Sequence, residues 1–170
     1  MYKITTARAT DLPFLADIEL AAAAMLAGHA PDSVLMEVTN LRDLYEALMR
    51  EHLWVALNED VPVGFAHVEI LEPGVAHLKE IDVHPDHGRK GIGTSLITNL
   101  CRWAANHGFE SVTLTTFRDV PWNMPFYQRL GFRTLPGFEL SPALMDVLRL
   151  EAFRGLDVSR RVAMRRLLRA

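Results

Sequence analysis

The chain carries a single cysteine, Cys101. One thiol cannot close an internal disulfide, and the paired cysteines of a structural zinc site are missing. Long apolar runs are missing too, since none approaches the ~20 residues that cross a bilayer. The first residues, MYKITTARATDLPF, have no apolar core of a secretory leader. No excess of positive charge is present: 18 Lys and Arg stand against 21 Asp and Glu. A nucleic-acid surface usually rests on a basic domain. These absences lead us to expect a cytoplasmic protein that binds neither nucleic acid nor membrane. There is no internal repeat and no low-complexity linker. A chain of 170 residues suits one domain, 1–170, burying roughly 70% of its unfolded surface.

What is present centres on Leu78 to Thr94, LKEIDVHPDHGRKGIGT. Alternation runs from Leu78 to Val83, with Leu78, Glu80 and Asp82 on one face and Lys79, Ile81 and Val83 on the other. Pro85 stops this strand because it has no N–H for a ladder. A glycine-rich turn follows. From Ile92 the apolar residues Ile92, Leu96, Ile97, Leu100, Trp103 and Ala104 recur at helical spacing. A glycine turn feeding a helix start offers free backbone N–H groups and the positive end of a helix dipole, which is a phosphate site. Arg89 and Lys90 add charge. The spacing fits neither the ATP-type P-loop nor the G-x-G-x-x-G dinucleotide fingerprint.

Around this stretch the chain reads as an α/β domain. Tyr2 to Ala7, His52 to Leu57, Val61 to Leu71 and the key strand from Val75 form strands. The turns Asn58-Glu59-Asp60 and Glu72-Pro73-Gly74 make the last three a meander. Two helical regions fall between the first two strands. In the first, Thr10 or Asp11 is the cap, Pro13 lies in the first turn, and Ala21 to Ala24 form a close-packing face. The second spans Leu35 to Arg50, with Leu41, Leu44, Tyr45 and Leu48 as its stripe. Val112 to Thr115 is the strand after the long helix, so strand–helix–strand implies a parallel pair. Asn123 caps a helix that Gly131 closes. Ser141 opens another helix to about Phe153, whose stripe is Leu144, Val147, Leu148 and Phe153. Arg161 to Leu168 is the last strand.

Two blocks resemble the GNAT superfamily of acyl-CoA N-acyltransferases. The first is Gly88-Arg89-Lys90-Gly91-Ile92-Gly93, which follows a strand ending in Val-x-Pro. Gly88 stands where that family usually has Arg or Gln. The second is Asn123 to Phe132, NMPFYQRLGF. The resemblance is specific from about Glu80 to Phe132. It implies a mixed sheet of about seven strands flanked by helices, with splayed central parallel strands and the cofactor in the gap between them. It also implies acetyl-CoA as co-substrate, no metal, and direct transfer to an amine in a ternary complex. Gly88, Arg89, Lys90, Gly91, Gly93 and Thr94 would then hold the phosphates. The Val83 N–H would polarise the thioester carbonyl, and Asn123 would bind the pantetheine arm. Glu80 is the candidate base, acting through a water, with Asp82 beside it to raise its pKa. Tyr127 is the candidate acid for the leaving thiolate.

Other bases are open: His67, His77, His84 and His87, the last of which could instead face phosphate. Cys101, mid-helix and without a neighbouring base, reads as a small core residue. His29, Asp32, Glu37 and Asp43 are candidates for touching the acceptor, and Ser141 to Gly155 would border its pocket. The acceptor is expected to be a small-molecule amine. A peptide or protein amine, or a CoA-binding module without catalysis, are the alternatives. A homodimer would be an assembly common in the family.

Overall fold

The computed structural model describes residues 1–169. Its strands are β1 (Tyr2–Thr6), β2 (Leu53–Asn58), β3 (Val61–Glu72), β4 (Val75–Val83), β5 (Ser111–Phe117), β6 (Arg133–Thr134) and β7 (Arg161–Leu167). They form one mixed sheet in the order β1-β2-β3-β4-β5-β7-β6. Among the described strands, only β4 and β5 pair in parallel. The helices are α1 (Leu12–Ala24), α2 (Asp32–Leu35), α3 (Leu41–Met49), α4 (Ile92–Asn106), α5 (Met124–Arg129) and α6 (Pro142–Phe153). The expected seven-stranded mixed sheet is therefore the observed one. Among the described residues no helix is long and apolar enough to cross a membrane.

Turn chemistry sets the meander. Glu59 and Asp60 both take positive φ between the paired residues Asn58 and Val61. That is a two-residue hairpin of the kind whose twist matches its strands. Each sheet face has its own core. On one, Leu96, Ile97, Leu100 and Ala104 of α4 bury against Ala66, Val68, Ala76 and Leu78. On the other, Leu12, Leu15 and Ile18 of α1 and Leu44 and Ala47 of α3 cover Leu53, Val55, Leu57 and Phe65. Cys101 is buried in the first core, as expected of a small apolar residue.

Several local expectations are corrected. The helix expected over Leu35 to Arg50 is broken: α2 ends at Leu35 and α3 begins at Leu41. The Asn40 side chain caps α3 by accepting from the Arg42 N–H at 2.8 Å. Leu41 and Tyr45 are 62% and 49% exposed, so the buried stripe is Leu44 and Ala47 instead. Ala21 to Ala24 is partly exposed rather than a close-packing face. Asp11 stands at the N-cap of α1, yet its carboxylate is turned to the Arg8 N–H and guanidinium. A two-residue strand, β6, had no alternation long enough to read.

Helix α6 forms as expected, with the Ser141 hydroxyl accepting from the Leu144 N–H at 3.2 Å. Leu144 is buried, but Phe153 at the other end of its stripe is 91% exposed. The helix is tied to the sheet by Glu151. This carboxylate accepts from Arg161 Nε at 2.9 Å and from the Thr115 hydroxyl at 2.5 Å.

Candidate active site

β4 and β5 pair at only three positions: Val75 with Ser111, Ala76 with Val112 and His77 with Thr113. Beyond His77 the two strands part and leave a gap. On its other edge β4 stays paired with β3 as far as Val83 opposite Gly64. The His84 N–H donates to the Val63 carbonyl at 2.8 Å. Donors alternate sides along an antiparallel ladder, so the Val83 N–H points away from β3, across the gap.

Register also places the carboxylates. Glu80 lies opposite His67 and Asp82 opposite Phe65, and Phe65 is buried under α1 and α3. Side chains of directly opposed residues share a face, so Glu80 and Asp82 face α1. From that helix comes Glu19. The carboxylate oxygens of Glu19, Glu80 and Asp82 lie within 4.8 Å of one another. Burial pushes the Glu80 carboxyl up to about 7, with the Glu19 charge adding to it and Asp82, Arg154 and Arg161 opposing. Asp82 is held well above its ordinary range by burial and then by Glu80 and Glu19.

Glu19 escaped the sequence reading. Its one signal is isolation: it is the only charged residue in Ile18 to Gly28, IELAAAAMLAG. Burial raises its carboxyl, against two hydrogen bonds from Thr39 that lower it.

Tyr127 lies on α5, buried against the rings of Phe126 and Phe132 at centroid distances of 5.1 and 5.9 Å. Burial, and after it the charges of Glu80 and Asp82, push the phenol well above its usual range. Tyr127 thus sits within electrostatic reach of both carboxylates and holds its proton firmly. Asn123 occupies the N-cap position of α5 but does not cap it. Its Oδ1 accepts from the Thr116 hydroxyl of β5 at 2.6 Å, which leaves the amide nitrogen to donate elsewhere.

The glycine turn leads straight into α4. Gly91 is its N-cap with φ +80, and a Cβ there would touch nothing within 4 Å. Conformation, not crowding, calls for glycine at this point. At Gly93 the reason is the reverse: a Cβ would come 3.3 Å from Phe126 Cζ, so the start of α4 and α5 are in near contact. A Cβ at Gly88 would come 3.2 Å from the Pro85 carbonyl oxygen. The tight turn over Pro85–His87 makes that position close-fitting. Arg89, Lys90, Gly91 and Thr94 are exposed. A fifteen-residue helix with free first-turn N–H groups and two adjacent cations fits a phosphate-bearing ligand.

The other candidates stay apart from the carboxylates or are occupied. His77 bonds to Thr113 Oγ1 at 2.9 Å, and burial lowers its pKa to about 4. His67 is lowered to about 4 by burial as well. His84 accepts from the Asp86 N–H, and His87 shares a hydrogen bond with the Tyr2 hydroxyl at 3.0 Å. His29 and Glu37 are engaged by Arg160 and Arg154. Asp43 lines a separate polar pocket with His52, His67 and Lys79. Asp32 starts α2.

The family model described as acetyltransferase (GNAT) matches residues 22–132. A glucosamine 6-phosphate N-acetyltransferase of Trypanosoma brucei brucei is 34% identical over 59 residues, covering 35% of this chain and 38% of the relative. An uncharacterised N-acetyltransferase of Methanocaldococcus jannaschii is 36% identical over 77 residues, covering 42% of this chain and 34% of the relative. The matched region thus spans little more than a third of either curated relative. Among solved structures, the PaiA N-acetyltransferase of Thermoplasma acidophilum in complex with coenzyme A superposes with a TM-score of 0.77 at 16% identity, covering 98% of this chain and 99% of that one. The ribosomal-protein-S18-alanine N-acetyltransferase of Escherichia coli gives 0.69 at 17% identity, covering 100% and 96%. At such identities the structural likeness speaks to the fold. The family model extends over most of the chain, from within α1 to the end of the second block, and the chain belongs to the GNAT acetyltransferase family.

Proposed function

We propose that the chain, acting as one domain over 1–170, is an N-acetyltransferase. It would move an acetyl group from acetyl-CoA to the amine of a small molecule in a ternary complex. The observation that carries this reading is the gap beyond His77, with the Val83 N–H directed across it and paired carboxylates on the adjoining strand face. The coenzyme A in the Thermoplasma structure supports the choice of donor.

In this proposal acetyl-CoA supplies the thioester. The first-turn N–H groups of α4, with Arg89 and Lys90, bind its phosphates, and the Asn123 amide nitrogen donates to the pantetheine arm. The Val83 N–H polarises the carbonyl. Glu80, as a carboxylate, takes the ammonium proton through a water; burial and the Glu19 charge, rather than the Asp82 expected for that part, keep it basic enough to do so near neutral pH. Tyr127 offers its O–H toward the departing sulfur. No metal takes part. Amine-dependent release of free thiol from acetyl-CoA, with a panel of small amines, amino acids and peptides, tests the reading. Release with a small amine supports it. Acetyl-CoA binding without release for any amine would instead make the chain a binding module.

The phosphate assignment carries its own expectation. Arg89 and Lys90 are exposed, so reversing both to Glu leaves the fold intact. Charges at a helix N-terminus contribute about 0.3–1 kcal/mol each, and reversal adds repulsion to the loss of both, so acetyl-CoA affinity should fall at least about fivefold. The loss should shrink at high salt. Isothermal titration checks it, and unchanged affinity would move the phosphates elsewhere.

A further inference from the structure

We infer that Glu19 is a positioning residue for this transfer: it clamps the 36–40 loop through Thr39 and holds its own charge against Glu80. The inference rests on Glu80 as the base. The Thr39 N–H donates to Glu19 Oε2 at 2.9 Å, and the Thr39 hydroxyl donates to Oε1 at 3.0 Å. Both carboxylate oxygens are engaged, so the group is fixed in place, and the segment between α2 and α3 is fixed with it. The same carboxylate lies within 4.8 Å of Glu80 and Asp82.

The other charged or titratable groups around Glu80 do not cancel this charge. Arg154, past the end of α6, is paired with Glu37. Arg161, on β7, is paired with Glu151. Lys79, the neighbour on β4, is paired with Glu69 at 3.7 Å. His67, across on β3, is kept neutral by burial, and Tyr127 on α5 keeps its proton. That leaves three carboxylates without a cation of their own. A second observation points the same way: Asp82 Oδ2 is sealed from solvent with no hydrogen-bond partner among the described residues. A sealed acceptor beside two more carboxylates calls for a shared proton or a bound ammonium. A proton shared within the cluster ties the proton affinity of Glu80 to the charge on Glu19. Glu19 supplies the third charge while holding the loop beside it.

Two variants separate the charge from the clamp. Glu19→Gln retains both contacts to Thr39, because the amide oxygen accepts from the N–H and the amide nitrogen donates to the hydroxyl. Only the charge goes. A carboxylate that loses a negative neighbour ionises at lower pH. Carbon NMR of labelled glutamate carboxyls in the free protein should then show the Glu80 midpoint falling by at least about half a unit, a roughly threefold change in proton affinity. Thr39→Val keeps the charge and cuts the hydroxyl bond, so the acceptor KM rises about threefold, as expected for about 0.6 kcal/mol from one lost hydrogen bond, and the Glu80 midpoint stays put. An unmoved Glu80 midpoint in folded Glu19→Gln, or an unchanged acceptor KM in Thr39→Val, would overturn the inference. If the midpoint falls but the pH–rate profile does not follow it, the Glu19 coupling stands and the base role of Glu80 falls.

Discussion

Glu80→Gln lowers kcat/KM about 100-fold at about pH 8, in the range lost when a general base is removed. Glutamine keeps the size of the side chain and removes its ability to take a proton. The pH at which the loss is read matters. With the Glu80 carboxyl at about 7, the wild type is itself protonated at the base in acid and slows there too. Above the pKa of the acceptor amine the proton is already gone and the base is less needed. The gap between variant and wild type is therefore widest between these limits. A second, independent sign accompanies it. A carboxyl whose pKa is raised on folding binds its proton more tightly in the folded state. It favours the fold in acid, and that support is lost as pH rises from the unfolded pKa through about 7. Above that range the ionised group opposes folding, so Glu80→Gln should unfold at a higher temperature than wild type at about pH 8. An active and unstabilised Glu80→Gln variant would remove Glu80 from both roles.

Tyr127→Phe should lower kcat at least tenfold, ~1.4 kcal/mol of barrier, with acetyl-CoA affinity close to wild type. Phenylalanine keeps the ring that packs between Phe126 and Phe132. The raised pKa narrows what the hydroxyl can do. It does not ionise at neutral pH and is a weaker acid than a thiol, so it acts as an O–H donor that hydrogen-bonds the charge building on the departing sulfur. The loss should therefore appear in kcat, where the sulfur leaves, and hardly at all in the acceptor KM. Stopped-flow thiol release checks this. Wild-type kcat, with chemistry shown to be rate-limiting, would leave Tyr127 a core residue only.

The strands were legible because their signals are local. Glu59-Asp60 marks the β2–β3 hairpin, Pro73-Gly74 marks the β3–β4 hairpin, and strand–helix–strand order forces the parallel pair. Alternation marks β4 except at Leu78, expected beside Glu80 but turned to the α4 face by a register shift opposite His67 and Val68. The glycine turn and the Asn123 to Phe132 block were equally plain. Glu80 and Asp82 could be placed on one face by counting along a strand. The third carboxylate could not, because Glu19 lies some sixty residues earlier and reaches the site only when α1 packs on Phe65. The break between α2 and α3 was hidden for a related reason: Thr39 is held by a side chain twenty residues away. Asn123 has the right residue type for a cap, and tertiary structure spends its oxygen on Thr116. Helical periodicity likewise misplaced Leu41 and Tyr45, since apolar spacing cannot tell a core from an exposed face that carries the same residues.

The dependence of kcat/KM on pH, for the best amine of the panel, tests the shared gap most directly. It reports the free enzyme, in which the clustered carboxylates set the proton affinity of the base. The account predicts an ascending limb with its midpoint at about 7, lost in Glu80→Gln and moved to lower pH in Glu19→Gln. A profile that is flat through that range, or a limb that survives unchanged in Glu80→Gln, would contradict it.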